Sequence, residues 1–173
     1  FIGHSVSAMI GALASIKRPE LFKKLIFVAP SACYINEPDY NGGFEREDID
    51  SLLELMEEDY EGWAKLISPQ IIANPDRPDL DAEMESNFCK TDHEVAKQFA
   101  RVTFLTDNRK DLPNIPVESL TLQCTDDMVA PLEVGEYINK HAPNNKLHIM
   151  NAKGHCPHMS APHETIEAIK SFL

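Results

Sequence analysis

The sequence lacks any run of about eighteen apolar residues, the length needed to cross a membrane, and no secretory leader is visible in it, although chain upstream of Phe1 leaves a leader open. It also lacks a Cys-x-x-Cys pair. Its four cysteines, Cys33, Cys89, Cys124 and Cys156, are widely spaced, which argues against a zinc ribbon or a disulfide framework and fits a reducing cytoplasm. Glycine is scarce, with 7 among 173 residues, and no glycine-rich phosphate loop is found. No His/Asp/Glu group has metal-ligand spacing on one element, so no metal and no other cofactor is expected. Cations are outnumbered, 16 Lys and Arg against 28 Asp and Glu, for a formal charge of −12. Nucleic acid and anionic membrane are therefore excluded as partners, because both need clustered Lys and Arg.

What is present is a soluble composition, 43% hydrophobic and 25% charged, in a chain long enough for one buried core. The acidity is confined to one region: residues 36–107 hold 19 acids and 6 bases, a net of −13, while the remainder nets +1. Such a stretch reads first as the solvated faces of amphipathic helices and second as a docking face for a basic partner.

The patterning changes at the same limits. Phe1-Ile2 reads as the end of a buried strand, which implies chain upstream, and Val6–Lys17 as a buried helix of small apolar residues. Leu25–Ala29 is a continuous apolar strand of the kind covered on both faces of a parallel sheet. From Asn36 to Asp107 the period becomes helical, with segments over Asp48–Tyr60, Trp63–Ile72, Asp81–Phe88 and Asp92–Phe104. Asn74–Pro78 is a break, Thr91 or Asp92 is an N-cap, and Val95, Phe99 and Val102 share one face of the last segment. Alternation returns with a strand at Ser119–Cys124, a helix at Pro131–His141, a strand at Lys146–Met150 and a helix from His163. The expectation is an α/β fold with a mostly parallel sheet, core 1–35 and 108–173, and an inserted helical cap, 36–107.

Chemistry concentrates just past the strands. Gly3-His4-Ser5-Val6-Ser7 joins a strand to a small-residue helix, the setting in which a sharp turn lifts a serine hydroxyl clear and the next backbone N–H, here Val6, joins an oxyanion hole. Ser7 replaces the usual final glycine; read alone, Ser5 could equally be a helix cap. Asp127, with Asp126 as its competitor, and His155, with His158 as the rival base, follow later strands. The order Ser, Asp, His is that of α/β-hydrolases. His4 is expected to point away from the nucleophile and to pack or hydrogen-bond.

Gly3–Gly11, Ile16-Lys-Arg-Pro-Glu-Leu-Phe22, Tyr40-Asn-Gly-Gly-Phe44 and Gly154-His-Cys-Pro-His-Met-Ser160 resemble one group of α/β-hydrolases, the bacterial sigma-B stress regulator RsbQ and the related plant strigolactone and karrikin receptors. Arg77-Pro78, Phe88-Cys89, Gln123–Asp127 and His155–His158 look closer to the bacterial member. The resemblance covers essentially the whole chain. It implies an α/β-hydrolase core, a four-helix cap, and a triad of Ser5, His155 and Asp127. It implies an apolar pocket lined by Trp63, Phe104, Met128 and Val129 that takes a small hydrophobic ligand, and a regulatory protein phosphatase as partner. It further implies that the first strands and the second oxyanion donor lie before residue 1. Hydrolysis of small hydrophobic esters or lactones in signalling is the expected function, and ligand or partner binding with little turnover is the alternative. Of the cap residues Leu52, Leu53, Met56, Trp63, Ile67, Phe99 and Phe104, some are expected to face the pocket and some only to glue the cap.

Overall fold

A computed structural model describes residues 1–173. Four parallel strands, β1 (Ile2–His4), β2 (Lys24–Val28), β3 (Glu118–Asp126) and β4 (Asn145–Lys153), lie side by side in chain order. Alternation along β2 sends successive side chains to opposite faces. Leu25 and Phe27 pack with Ala8, Met9 and Ala12 of α1 (Val6–Lys17) and with Val134 and Ile138 of a helix that follows β3. Ile26 and Val28 pack with Leu120, Leu122, Cys124 and Met150 against Ala168 and Phe172 near the C-terminus. A strand buried on both faces must be apolar where it is covered, as β2 is from Leu25 to Val28.

Between β2 and β3 run four helices: α2 (Arg46–Glu58), α3 (Tyr60–Ile72), α4 (Pro78–Lys90) and α5 (His93–Leu105). They share their own apolar cluster of Ile49, Leu53, Met56, Tyr60, Trp63, Ala64 and Ala100. After β3 come α6 (Leu132–His141), then β4, a one-turn α7 (Pro157–Ser160) and α8 (Pro162–Phe172).

Some elements differ from the sequence reading and others match it. Helix α1 buries one face only, with Ile10 50% exposed, because it packs on the sheet from a single side. The break expected over Asn74–Pro78 is present: α3 ends at Ile72, Ala73 lies in the left-handed region at φ 51°, and α4 begins at Pro78, since proline at the first helical position loses no hydrogen bond. Asp92 is the N-cap of α5, accepting from Val95 N at 3.0 Å. Val95, Phe99 and Val102 share one face as expected but are 62%, 50% and 57% exposed, and the residue that α5 buries against the other helices is Ala100. Strand β4 runs three residues beyond Met150, through Asn151-Ala152-Lys153, with Ala152 buried between two polar residues.

Candidate functional site

Ser5 sits between β1 and α1 with φ 55°, a left-handed backbone that a non-glycine residue holds only when its surroundings force it. Ser5 N donates to Val28 O at 2.9 Å, Ala8 N donates to Ser5 O at 3.0 Å, and a Cβ on Gly3 would stand 2.7 Å from the Ser7 backbone. That close approach of strand and helix makes the turn tight and keeps position 7 small. Ser5 occupies the N-cap position, yet its hydroxyl makes no capping bond. The oxygen is free for another partner.

That partner is His155. Its Nε2 lies 2.7 Å from Ser5 Oγ, and its Nδ1 lies 2.8 Å from Asp127 Oδ2. With the Nδ1 proton donated to the carboxylate, Nε2 is left to accept from the serine. Asp127 follows directly on β3. Its other oxygen, Oδ1, accepts from Val129 N at 2.8 Å and Ala130 N at 3.1 Å, so the carboxylate is held at both ends. Asp126 is exposed, and only its backbone takes part, accepting from Gly154 N at 2.7 Å. Gly154 has φ 81°, and a Cβ there would overlap Ile72 O, so the chain just before His155 lies against the end of α3. His155 N donates to Ile71 O at 2.7 Å, and Asn74 Nδ2 donates to Lys153 O at 3.2 Å. The helical insertion thus holds the histidine loop from above.

Tyr34, which the sequence reading passed over, is buried with its hydroxyl 3.1 Å from Ser5 Oγ. Because the serine has one proton and points it at His155, the phenol is the donor. Burial pushes the Tyr34 pKa up to about 12, which keeps that proton in place. No pattern in Pro30-Ser31-Ala32-Cys33-Tyr34 announces this contact. Val6 is the first residue of α1, and the first N–H groups of a helix have no acceptor within it.

His4 donates Nε2–H to the His155 carbonyl at 2.7 Å and stacks at a tilt on the His155 ring at 5.0 Å. Burial first, and then the neighbouring His155, lowers its pKa to about 4, so it is neutral near neutral pH. His158 is neither a partner of Ser5 nor buried in structure: it is exposed on α7, edge-on to His4 at 4.6 Å, with its pKa lowered mainly by desolvation.

Ser5, Val6 and His155 open onto a cavity of about 580 Å³, lined on the other side by α2, α3, α4 and α5. Of its 27 lining residues 20 are hydrophobic, so what it encloses must be largely apolar. Trp63, Phe104, Met128 and Val129 all line it. So do Leu52, Met56, Ile67 and Phe99, whereas Leu53 does not and packs only within the helical cluster.

A strained serine after β1, a histidine after β4 and a buried carboxylate after β3, under a helical insertion, correspond to one family, and a model of it described as "Alpha/beta hydrolase family" matches residues 1–168. The chain belongs to the alpha/beta hydrolase family. It is 36% identical to Karrikin insensitive 2 receptor CA of Petunia hybrida over 98% of its length and 63% of the relative's. It is 33% identical to Strigolactone esterase D14 of Arabidopsis thaliana, over 100% of its length and 65% of the relative's. A solved hydrolase from Oleispira antarctica superposes with a TM-score of 0.95 at 37% identity, covering 99% of this chain and 63% of that one. The chain therefore spans under two thirds of the length of these relatives. No helix in the chain is long and apolar enough to cross a membrane.

Proposed function

We propose that the protein hydrolyses small hydrophobic esters or lactones, with Ser5 as nucleophile, His155 as general base and Asp127 as the acid that orients it. The observation that carries this is the unbroken run Asp127 Oδ2, His155 Nδ1, His155 Nε2, Ser5 Oγ, with links of 2.8 and 2.7 Å, ending in an apolar cavity. Ser5 Oγ attacks the carbonyl carbon as His155 Nε2 takes its proton. The Val6 N–H faces the developing oxyanion, where a fixed donor acts most strongly. Collapse returns the proton from His155 to the leaving alkoxide. Water, deprotonated by the same nitrogen, then frees the acid and Ser5. Tyr34, donating to Oγ, fixes the resting serine rotamer. Residues 36–107 act as a cap over the core 1–35 and 108–173, and Trp63, Phe104, Met128 and Val129 select the apolar part of the substrate by shape.

A second reading rests on the names of the relatives, of which one is a receptor and another an esterase. In it the occupied cavity is the signal and turnover is slow or absent. Its bacterial form, resembling RsbQ, would be a cytoplasmic stress-response regulator acting on a protein phosphatase.

The test assays the full-length protein against p-nitrophenyl esters and simple lactones, beside Ser5→Ala. Turnover lost in the variant supports hydrolysis. Ligand-induced stabilisation in both proteins with turnover in neither moves the conclusion to the receptor reading.

A further inference from the structure

Three side chains to which the hydrolytic reading gives no chemical step converge beside His155. His4 precedes the nucleophile, Cys156 follows the base, and His158 stands on α7; a ligand atom from each lies within 4.8 Å of the other two. His4 Nε2 is 4.0 Å from Cys156 Sγ, and the His4 and His158 rings meet edge to face at 4.6 Å. Ligands at ~2.0–2.3 Å around a tetrahedral zinc stand roughly 3.3–3.8 Å apart, so this set is only slightly wider than an ion requires. All three residues line the cavity, and exposed His158 gives a way in. One sulfur and two imidazoles suit zinc, and not magnesium or calcium, which take oxygen.

We propose that His4, Cys156 and His158 form a zinc site in the cavity wall, its fourth position open to the cavity. On binding, the Cys156 thiol releases its proton to solvent and the thiolate coordinates. His4, coordinating through Nε2 and carrying its proton on Nδ1, gives up its bond to the His155 carbonyl. That bond helps fix the residue whose ring bridges Asp127 and Ser5, so zinc switches hydrolysis off reversibly. The switching rests on the hydrolase reading; the site does not.

The experiment titrates the full-length protein with cobalt, a coloured stand-in for zinc, in a Cys89→Ser background that removes the exposed thiol. The expected result is a thiolate-to-cobalt charge-transfer band that zinc displaces. It is absent in near-isosteric Cys156→Ser, needs at least tenfold more cobalt in His158→Ala, and persists in Ser5→Ala. Zinc is expected to inhibit ester hydrolysis, with recovery on chelation and at least a tenfold weaker effect in Cys156→Ser. No band, or one that survives Cys156→Ser, overturns the site. Inhibition equal in parent and Cys156→Ser means that zinc acts on His155 and Asp127 directly, and overturns the switch. If the protein hydrolyses nothing, the band still decides the site.

Discussion

On the sheet side of the cavity the side chains around Ser5 are paired: both Asp127 oxygens, both His155 nitrogens and the Tyr34 hydroxyl are engaged. On the helical side Trp63 Nε1 and Thr103 Oγ1 are buried with none, in lining that is otherwise mostly apolar. A fully satisfied network in a low dielectric is rigid and costly to disturb, whereas a wall of apolar side chains can exchange one shape for another at about 1–3 kcal/mol per methylene. In the proposed reading this contrast puts the chemistry at the strand ends and the selectivity in the inserted helices.

The most direct way to break that assignment is to remove the nucleophile or the base. Ser5→Ala and His155→Ala should each lower hydrolysis by at least about 10³-fold and abolish labelling by a serine-directed phosphonate, with ligand-induced melting shifts retained. Turnover that survives either change would place the chemistry elsewhere.

Asp127→Asn should cost less, about 10²–10⁴-fold. The Asn oxygen can still accept from Val129 N and Ala130 N, but its NH₂ then faces His155 Nδ1 and forces the wrong tautomer. Phosphonate labelling should be slowed rather than erased. Asp126→Asn should change neither, since that side chain is exposed and apart from His155.

These residues were legible in the sequence because each follows a parallel strand, and strands of continuous apolar residues declare themselves. The backbone alone then brings Ser5, Asp127 and His155 to one edge. Residues meeting through side-chain reach left no such trace. Tyr34 lies 29 positions from Ser5, and His4 lies 151 from His155. Periodicity put Val95, Phe99 and Val102 on one face of α5 without saying what that face meets: all three are at least half exposed, and Val95 and Phe99 line the cavity, because a cavity-lining face has the same period as a packed one. The end of β4 was missed because Asn151 and Lys153 are polar, although Ala152 between them is buried and pairing with β3 continues to Lys153 opposite Asp126.

The paired wall should also be the acid-sensitive one. His4, with its pKa near 4 by burial, faces His155 and His158, which disfavour its charge, and Asp127, which favours it. Between pH 6.5 and 4 the unfolded chain binds a proton that the folded protein refuses, so this stabilisation is complete above about pH 6.5 and is lost as the pH falls toward 4. From pH 7 to 5 the loss should be about 2 kcal/mol by urea unfolding. His4→Gln, which can still donate to the His155 carbonyl, should remove most of that dependence; an unchanged slope would mean that His4 titrates normally.

On the helical wall, Phe104 meets Tyr34 edge-on at 5.2 Å and Phe44 at 6.1 Å while lining the cavity. Phe104→Ala enlarges a space that already exists, so its stability cost should fall well below the ~3–5 kcal/mol of a fully packed phenylalanine. Affinity for small apolar esters should drop about tenfold. Equal ligand-induced melting shifts in parent and variant would reduce Phe104 to packing between cap and core.

The smallest effect expected is at Thr103. Its hydroxyl is buried without a protein partner, although a helical threonine can ordinarily bond a carbonyl one turn back. Valine keeps the shape and removes the unpaired oxygen, and the two residues have nearly the same helix propensity. Leaving a polar group unsatisfied costs about 1–3 kcal/mol, part of which solvent in the cavity recovers. Thr103→Val should therefore raise stability by at most about 1 kcal/mol. Binding separates two roles for the hydroxyl. If it recognises a ligand oxygen remote from the ester, the variant should bind plain alkyl esters slightly better and esters bearing a second acceptor several-fold worse. Isothermal titration of the two ester types against parent and variant reads this directly. Equal changes for both types would mean that Thr103 meets only solvent and that the inserted helices select by shape alone.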